Sequence, residues 1–414
     1  MDWIACVGID WGDKRHAYMI QTREGSKQAG WFGSSAEEVH EWARGLGERF
    51  PAGTIIVAVE QGRGSLLYAL MAYEYLVLVP INPRASKAYR ESLRLSGSSS
   101  DPTDAALIGD FAMKHLSELR VWKPDEVRTR KIRLLCEQRR SLVDQRTALT
   151  HALSAALKEY FPQVLQWFGE EKSPHLRAFL THWATLEQAR QASADDITNM
   201  LKANRRRKAS TVAQALIEKI RVAVPLTRDT AVIEAQSMYA RSLVALIDPL
   251  DQEIAKFDQA IATEWADHPD RKIFDSLPGA GAAMAPRLAA AFGLDRDRYQ
   301  EAVEMQQYSG IAPVTEQSGR QWWVHARWGF PTFLHQTFHE FAQASLPHSA
   351  WARAFYHQQR DRGAGHHEAV RALAFRWIRI LFRLWKTGEE YDENRYIETL
   401  KRKQSPIVSR LATA

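Results

Sequence analysis

The chain has 414 residues, of which 45% are hydrophobic and 25% are charged, a balance that is typical of globular proteins and excludes a disordered chain. At this length we expect two or three domains. The net charge of +6, with a pI of about 9.2, favours a polyanionic partner such as a nucleic acid.

The cysteine and hydropathy patterns exclude further classes of protein. Cys6 and Cys136 are the only cysteines, and neither belongs to a CxxC pair, so we expect no disulfide framework and no structural zinc. No apolar run approaches ~18 residues, and the N-terminus carries no charged-then-apolar leader. The sequence therefore predicts a cytoplasmic protein with no membrane segment.

Residues 1–115 have the pattern of an α/β domain. Short apolar runs predict strands, and two segments have helical periodicity. The predicted strands are Trp3–Asp10, His16–Thr22, Gln28–Phe32, Thr54–Glu60 and Leu76–Pro80, and the predicted helices are Ala36–Leu46 and Ser65–Tyr75. Three early strands followed by alternating helices and strands match the order of a ribonuclease-H-like domain.

Four acidic residues stand out in this domain. Asp10 ends the first buried strand and Glu60 ends the fourth, so both lie where α/β sheets place their sites. Asp101 and Asp104 are three residues apart in a predicted helix, which puts them on one helix face. Four carboxylates at close range repel one another unless hard cations neutralise them, so the pattern predicts a pair of Mg²⁺ ions, with Mn²⁺ as a substitute.

Each acid also has a structural interpretation. Asp10 and Glu60 could be ordinary polar residues where strands meet loops. Asp101 before Pro102 has the pattern of a helix N-cap, and Asp104 would then stand where a carboxylate completes a capping box. Capping and metal binding do not exclude each other.

Residues 119–265 are poor in glycine and have the pattern of a long helical stalk. Leucines at helical spacing predict one long amphipathic helix near 134–157, and Thr230–Trp265 predicts a second. Basic residues predominate between 120 and 158, either as a solvated face or as a nucleic-acid contact. An inserted helical region at about 165–225 carries a basic run that is either a phosphate contact or a solvated loop, namely Arg205, Arg206, Arg207 and Lys208.

Residues 266–414 form the third predicted region, which is mostly helical. Leu277-Pro278-Gly279-Ala280-Gly281 precedes an alanine-rich helix, 282–292, and resembles a helix-hairpin-helix, in which Gly279 and Gly281 would let the backbone approach a DNA phosphate. The alternative is a tight turn between helices. Further on, Gln317-Ser318-Gly319-Arg320 is followed by a cluster rich in tryptophan.

Taken in order, these motifs resemble the DEDD-type insertion-sequence transposases, a group that includes Piv-like DNA invertases and bridge-RNA-guided recombinases. Gly8-Ile9-Asp10-Trp11-Gly12 is similar to the family's first strand, Val57-Ala58-Val59-Glu60 to its second acidic strand, and Asp101-Pro102-Thr103-Asp104 to its paired aspartates. Pro278-Gly279-Ala280-Gly281 and Gln317-Ser318-Gly319 match its C-terminal landmarks. The likeness covers most of the chain outside about 165–225.

The resemblance implies specific roles. The first domain, 1–118, would be RuvC-like, with Asp10, Glu60, Asp101 and Asp104 as metal ligands. Ser318 in the C-terminal domain would be the nucleophile that becomes joined to DNA, with Arg320 as a possible phosphate clamp. The family also implies a prokaryotic enzyme acting on the nucleoid, a homodimer or homotetramer that joins the two parts of the site, element ends and target as DNA substrates, and a structured guide RNA.

Three other functions fit part of this pattern. A RuvC-like nuclease or junction resolvase would use water and leave Ser318 idle. A sugar-kinase or actin-like ATPase would explain Gly8-Ile9-Asp10-Trp11-Gly12 as a phosphate loop, but the second glycine-rich loop that this fold needs is missing from the sequence. A non-catalytic nucleic-acid-binding protein would need no metal site.

Overall fold

The computed structural model describes residues 2–51, 53–60, 64–93, 100–169, 173–319, 321–325, 327 and 329–411. The chain divides into two compact units, 1–124 and 125–414. Among the described residues, no helix is both long enough and apolar enough to cross a membrane.

The first unit is built on a five-stranded sheet. Its strands are β1 (Ala5–Asp10), β2 (Arg15–Thr22), β3 (Lys27–Gly33), β4 (Ile55–Val59) and β5 (Leu76–Pro80), and its helices are α1 (Ala36–Arg49), α2 (Ser65–Leu70), α3 (Pro83–Leu93) and α4 (Asp101–Lys114). The sheet order is β3-β2-β1-β4-β5. Strands β1, β4 and β5 are parallel to one another, whereas β2 is antiparallel to both of its neighbours, β1 and β3. All five predicted strands are confirmed, and the predicted α/β class is correct.

Side-chain alternation divides the sheet into two faces. Val7 and Ile9 of β1 pack with α1 and α2 on one face, whereas Cys6 packs with Ile108 and Ala112 of α4 on the other. Both faces are therefore covered by helices, which explains why the parallel strands β1, β4 and β5 are almost continuous apolar runs.

The approach of α4 to the sheet depends on glycine. A Cβ built on Gly8 of β1 would lie 2.0 Å from the Ala105 carbonyl oxygen and 2.4 Å from the Gly109 amide nitrogen. The Cys6 thiol also donates to the Gly109 carbonyl at 3.7 Å. Only a residue without a side chain fits at position 8, so Gly8 sets the distance between β1 and α4.

In its described residues, the second unit is helical apart from one hairpin. Its helices are α5 (Val127–Tyr160), α6 (Gln163–Phe168), α7 (Pro174–His182), α8 (Leu186–Arg190), α9 (Ala194–Ala203), α10 (Ala209–Val222), α11 (Thr230–Ala266), α12 (Arg271–Asp275), α13 (Gly281–Phe292), α14 (Ala302–Tyr308), α15 (Thr332–Ser345), α16 (Ala350–Asp361), α17 (His366–Thr387) and α18 (Glu393–Arg402), followed by the 3₁₀ turn Val408–Arg410. The hairpin consists of β6 (Val314–Ser318) and β7 (Gln321–His325).

The two long predicted helices exist and pack against each other within the chain. The 34 residues of α5 run antiparallel to α11, as the pairs Lys131–Glu264, Arg139–Asp258 and Arg146–Asp251 establish. At one end both helices join a core formed by α6–α10, and at the other they join the core of the C-terminal helices. The insertion at about 165–225 thus shares its core with one end of α5 and α11, and the three-domain division stays a prediction.

The glycine contact yields a stability prediction. Gly8→Ala should lower the free energy of unfolding by roughly 1–3 kcal/mol, because the added methyl group collides with the backbone of α4. Gly45→Ala is the matched control, since Gly45 is an exposed helical residue whose added Cβ meets nothing within 4 Å, and should be neutral or stabilising by up to about 1 kcal/mol. Denaturant unfolding measures the change in free energy for both variants. Equal changes would contradict the close contact between Gly8 and the backbone of α4.

Candidate active site

Strand alternation places Asp10 and Glu60 on the same face of the sheet. Asp10 is the last residue of β1, and Glu60 directly follows β4. The parallel register pairs Ile9 with Val59, so the two acids follow neighbouring positions on adjacent strands. Both continue the face that carries Cys6 and Ala58, which is the face covered by α4.

Helix α4 brings the other two acids to this edge. It runs over Gly8 with Ala105 and Gly109, so its first turn lies beyond Gly8 in the direction of Asp10. Asp101 is the first helical residue and is exposed, whereas Asp104 is buried. The N-cap is Ser100, so the interpretation of Asp101 as N-cap was wrong.

The four carboxylates interact electrostatically. The pKa of Asp10 rises from 3.8 to about 6, first because the group is partly buried and then because Asp104, Asp101 and Glu60 repel its negative charge. The Arg90 guanidinium acts in the opposite direction and lowers this pKa. The sequence prediction that two strand ends and a helix bring four acids into one neighbourhood thus agrees with the electrostatics of the structure.

Arg90 of α3 is a residue that the sequence analysis missed. Its Nε lies 3.2 Å from Asp104 Oδ1. The guanidinium therefore supplies positive charge where a bound cation would neutralise the carboxylates. No motif distinguishes Arg90 among the basic residues of 83–93, so only the packing of α3 against α4 identifies it.

The donor chemistry of this edge fits Mg²⁺, although the ligands are not gathered around one point. Carboxylate oxygens are the ligands that Mg²⁺ prefers. Glu60 Oε1 is buried and accepts no hydrogen bond from any described residue, which leaves one oxygen available for a ligand. Among the described residues, however, no three acidic, histidine or cysteine side chains converge closely enough to hold a metal ion.

Ser318 belongs to the second unit, where it ends β6 at the tip of the hairpin. It pairs with Gln321 across a turn in which Gly319 has φ +59°. Its side chain is exposed, and its hydroxyl makes no hydrogen bond with any described residue. Ser309, which also precedes a glycine and is the other serine in this region that could be a nucleophile, is wholly buried and donates to the Gln306 carbonyl, so a structural role accounts for it.

The predicted nucleic-acid residues fall into distinct environments. Arg205–Lys208 connect α9 to α10 as an exposed corner. Gly279 has φ +77°, and its added Cβ would lie 2.3 Å from the Ala344 carbonyl oxygen, so close packing against α15 already explains this glycine. Gly281 has φ +53° and open space around it. Arg320 lies outside the described residues.

The basic residues of α5 are largely engaged inside the chain. Lys131, Arg139 and Arg146 pair with acids of α11, and Arg140 pairs with Asp144 and Glu340. This pairing explains much of the positive charge of the stalk without a nucleic acid. The four residues Arg205–Lys208, in contrast, form no ion pair with any described residue.

Comparison with known proteins places the chain among insertion-sequence proteins. Residues 7–162 match the DEDD transposase model of the IS110 group, and residues 271–357 match the model described as transposase of the IS116/IS110/IS902 family. These matches span the carboxylate edge and Ser318.

Three relatives resemble the chain over most of its length. The mini-circle putative transposase for IS117 of Streptomyces coelicolor is 27% identical, covering 94% of this chain and 95% of the relative. An IS116 protein of Streptomyces clavuligerus, described as uncharacterized, is 28% identical, covering 78% of this chain and 79% of the relative. An IS900 protein of Mycobacterium paratuberculosis, also described as uncharacterized, is 26% identical, covering 82% of this chain and 84% of the relative.

The raised pKa of Asp10 predicts a pH effect in metal-free protein. Because its pKa is about 6 when folded and 3.8 ordinarily, the folded state binds more protons between these values, and stability falls as pH rises through this window. Asp10→Asn should therefore gain stability over the wild type at roughly pH 7.5 in EDTA, and lose that advantage near pH 4.

Denaturant unfolding at the two pH values measures this difference. Asp13→Asn, which alters an exposed loop carboxylate close to Asp10, is the control and should follow the wild type. A gain for Asp10→Asn that is the same at both pH values would contradict the raised pKa of Asp10.

Proposed function

The chain belongs to the IS110 family of insertion-sequence transposases, and we propose that it cuts and rejoins DNA through a serine–DNA intermediate at a metal-dependent carboxylate site. The observation that supports this most is the electrostatic coupling of Asp10 with Asp104, Asp101 and Glu60 at one sheet edge. The order β3-β2-β1-β4-β5 with a covering α4 supports a ribonuclease-H-like, RuvC-like domain around this edge.

The four carboxylates would hold the divalent ions. A pair of Mg²⁺ ions held there would neutralise the acids and would supply stabilisation of negative charge on phosphate oxygens. The chain's own residues orient this site: Gly8 fixes the height of α4, the helix start fixes Asp101 and Asp104, and Arg90 balances the acids before a cation arrives.

Ser318 would be the nucleophile. Its Oγ forms a bond to phosphorus, the bond from phosphorus to one DNA oxygen breaks, and the serine proton passes to solvent while the leaving oxygen takes up a proton. The phosphoserine diester keeps the energy of the broken bond, so a DNA hydroxyl can reverse the step and rejoin the strands. An exposed serine at a hairpin tip is accessible to a phosphodiester.

Assembly must unite residues from both units. The carboxylates lie in 1–124 and Ser318 lies in 125–414. We propose that a homodimer or homotetramer joins the two parts on DNA element ends and target. A structured guide RNA is part of the proposal through the family resemblance, and the uncompensated corner Arg205–Lys208 supports contact with a polyanion.

A water-using nuclease is the second candidate. It is favoured by one observation, namely that all four carboxylates lie in the first unit, so that hydrolysis would need nothing from Ser318. The two functions differ in their product, because hydrolysis leaves no protein joined to DNA.

Ser318→Ala should abolish the covalent adduct and recombination, since the variant lacks the attacking oxygen. Denaturing gels of end-labelled element DNA, followed by peptide mapping, measure this loss. Thr315→Ala removes another exposed hydroxyl from the same strand and should keep the adduct, as should Ser309→Ala if it folds. An adduct that persists in Ser318→Ala or maps to Tyr308 would refute the assignment, and cleavage without any adduct would favour the nuclease.

Glu60→Ala should abolish strand cleavage in Mg²⁺ while the protein still binds DNA, because the proposed pair of metal ions then lacks one ligand. The same gels measure cleavage, and a filter-binding assay measures DNA retention. Glu24→Ala is the control, because Glu24 is an exposed acid in the turn after β2. Near-normal cleavage by Glu60→Ala would exclude the two-metal site.

Replacing Arg205, Arg206, Arg207 and Lys208 by Gln should weaken DNA or RNA binding and flatten its salt dependence. The slope of log affinity against log salt should fall by roughly 0.7–0.9 for each phosphate group that the variant no longer neutralises. The matched control replaces four exposed but ion-paired residues, which are Arg221, Lys256, Arg271 and Lys401. Equal slopes for the two quadruple variants would indicate that residues 205–208 contact solvent and not nucleic acid.

A further inference from the structure

The hairpin that carries Ser318 exposes large apolar side chains. Trp322 is 65% exposed, Trp323 43% and Val324 68%. Every residue of β6 and β7 except Val314 is exposed, so no described part of the chain covers either face. A two-stranded hairpin alone is marginally stable in water, and exposed indoles mark surfaces that bind a partner.

The register separates the two indoles. Cross-strand partners share a face, so Ser318 lies with Gln321, and Glu316 lies with Trp323. These two pairs belong to the same face, whereas Trp322 lies opposite Gln317 on the other face. Trp323 is therefore on the side of the proposed nucleophile, and Trp322 is not.

The distance between Ser318 and Trp323 suits a nucleotide. The two residues are diagonal neighbours, which in an antiparallel pair are separated by roughly 7–8 Å and within reach of an aromatic side chain. A phosphodiester held at Ser318 Oγ therefore brings the adjoining base to the indole. Every base has a face that stacks on an aromatic ring, so this contact does not depend on sequence.

We propose that Trp323 is a stacking platform for the DNA base next to the phosphate that Ser318 attacks. The inference rests on the proposed function, because that function is what brings DNA to this face. Stacking on Trp323 holds the base out of the duplex and so positions its phosphate at Ser318. Trp323 is thus a positioning residue, and its partner is an unpaired nucleotide.

The experiment separates stacking from chemistry by using the full chain with Ser318→Ala. The probe is a single-stranded oligothymidylate containing 5-iododeoxyuridine, which crosslinks on irradiation to an aromatic ring stacked on it. We expect the crosslink to map to Trp323. Adding Trp323→Ala should lower affinity for the oligonucleotide by roughly five- to hundredfold, the value of one base–aromatic stack.

Three variants make the test specific. Trp323→Phe keeps a ring and should restore most of the binding, Trp323→Leu keeps only apolar volume and should not, and Trp322→Ala on the opposite face should change affinity by less than about twofold. Sedimentation of each variant checks that its fold and oligomeric state are unchanged.

Several outcomes would overturn the proposal. They are full binding by Trp323→Leu, a crosslink that maps to Trp322 or outside the hairpin, or a loss of binding that accompanies a change in oligomeric state, which would assign the indoles to a protein interface. Failure of the Ser318 proposal gives a different result, because the adduct would be missing or would map elsewhere while the crosslink to Trp323 persists.

Discussion

The contact of Gly8 with the backbone of α4 is the constraint on which the carboxylate edge depends. A strand normally keeps a helix at the distance set by its side chains, but here the helix carbonyl and amide of Ala105 and Gly109 occupy the space of a missing Cβ. The first turn of α4 is thereby lowered toward the end of β1. A wider spacing would move Asp104 away from Asp10 and weaken the interaction between their charges.

The same closeness creates an electrostatic cost that the protein alone only partly offsets. Three acids act on Asp10, and Arg90 is the described cation that opposes them there. Carboxylates that the fold holds close together repel one another. Such a site binds a cation more favourably, because the ion reduces this repulsion. In the structure it is the Arg90 guanidinium, 3.2 Å from Asp104, that supplies positive charge to this edge.

Much of this arrangement could be predicted from local sequence patterns. The apolar runs before Asp10 and Glu60 identified two strand ends, and the spacing of Asp101 and Asp104 identified a helix face. A glycine inside a buried strand indicates that another backbone approaches closely, so the contact of α4 at Gly8 could also have been predicted from the sequence. Arg90 could not be predicted, because its role arises from the packing of α3 on α4. The pairing of α5 with α11 also depends on partners more than a hundred residues apart, such as Arg139 and Asp258.

The antiparallel pair of α5 and α11 has a further consequence, which concerns length. A helix of 34 residues spans about 50 Å, and the ion pairs between α5 and α11 lie between the cores at its two ends. The basic corner 205–208 belongs to the region at one end, and the hairpin with Ser318 belongs to the region at the other. Base pairs along B-DNA are about 3.4 Å apart, so a helix of this length corresponds to about 15 base pairs. If both regions contact DNA as proposed, the helix pair would set how far from the backbone contact the strand is cut.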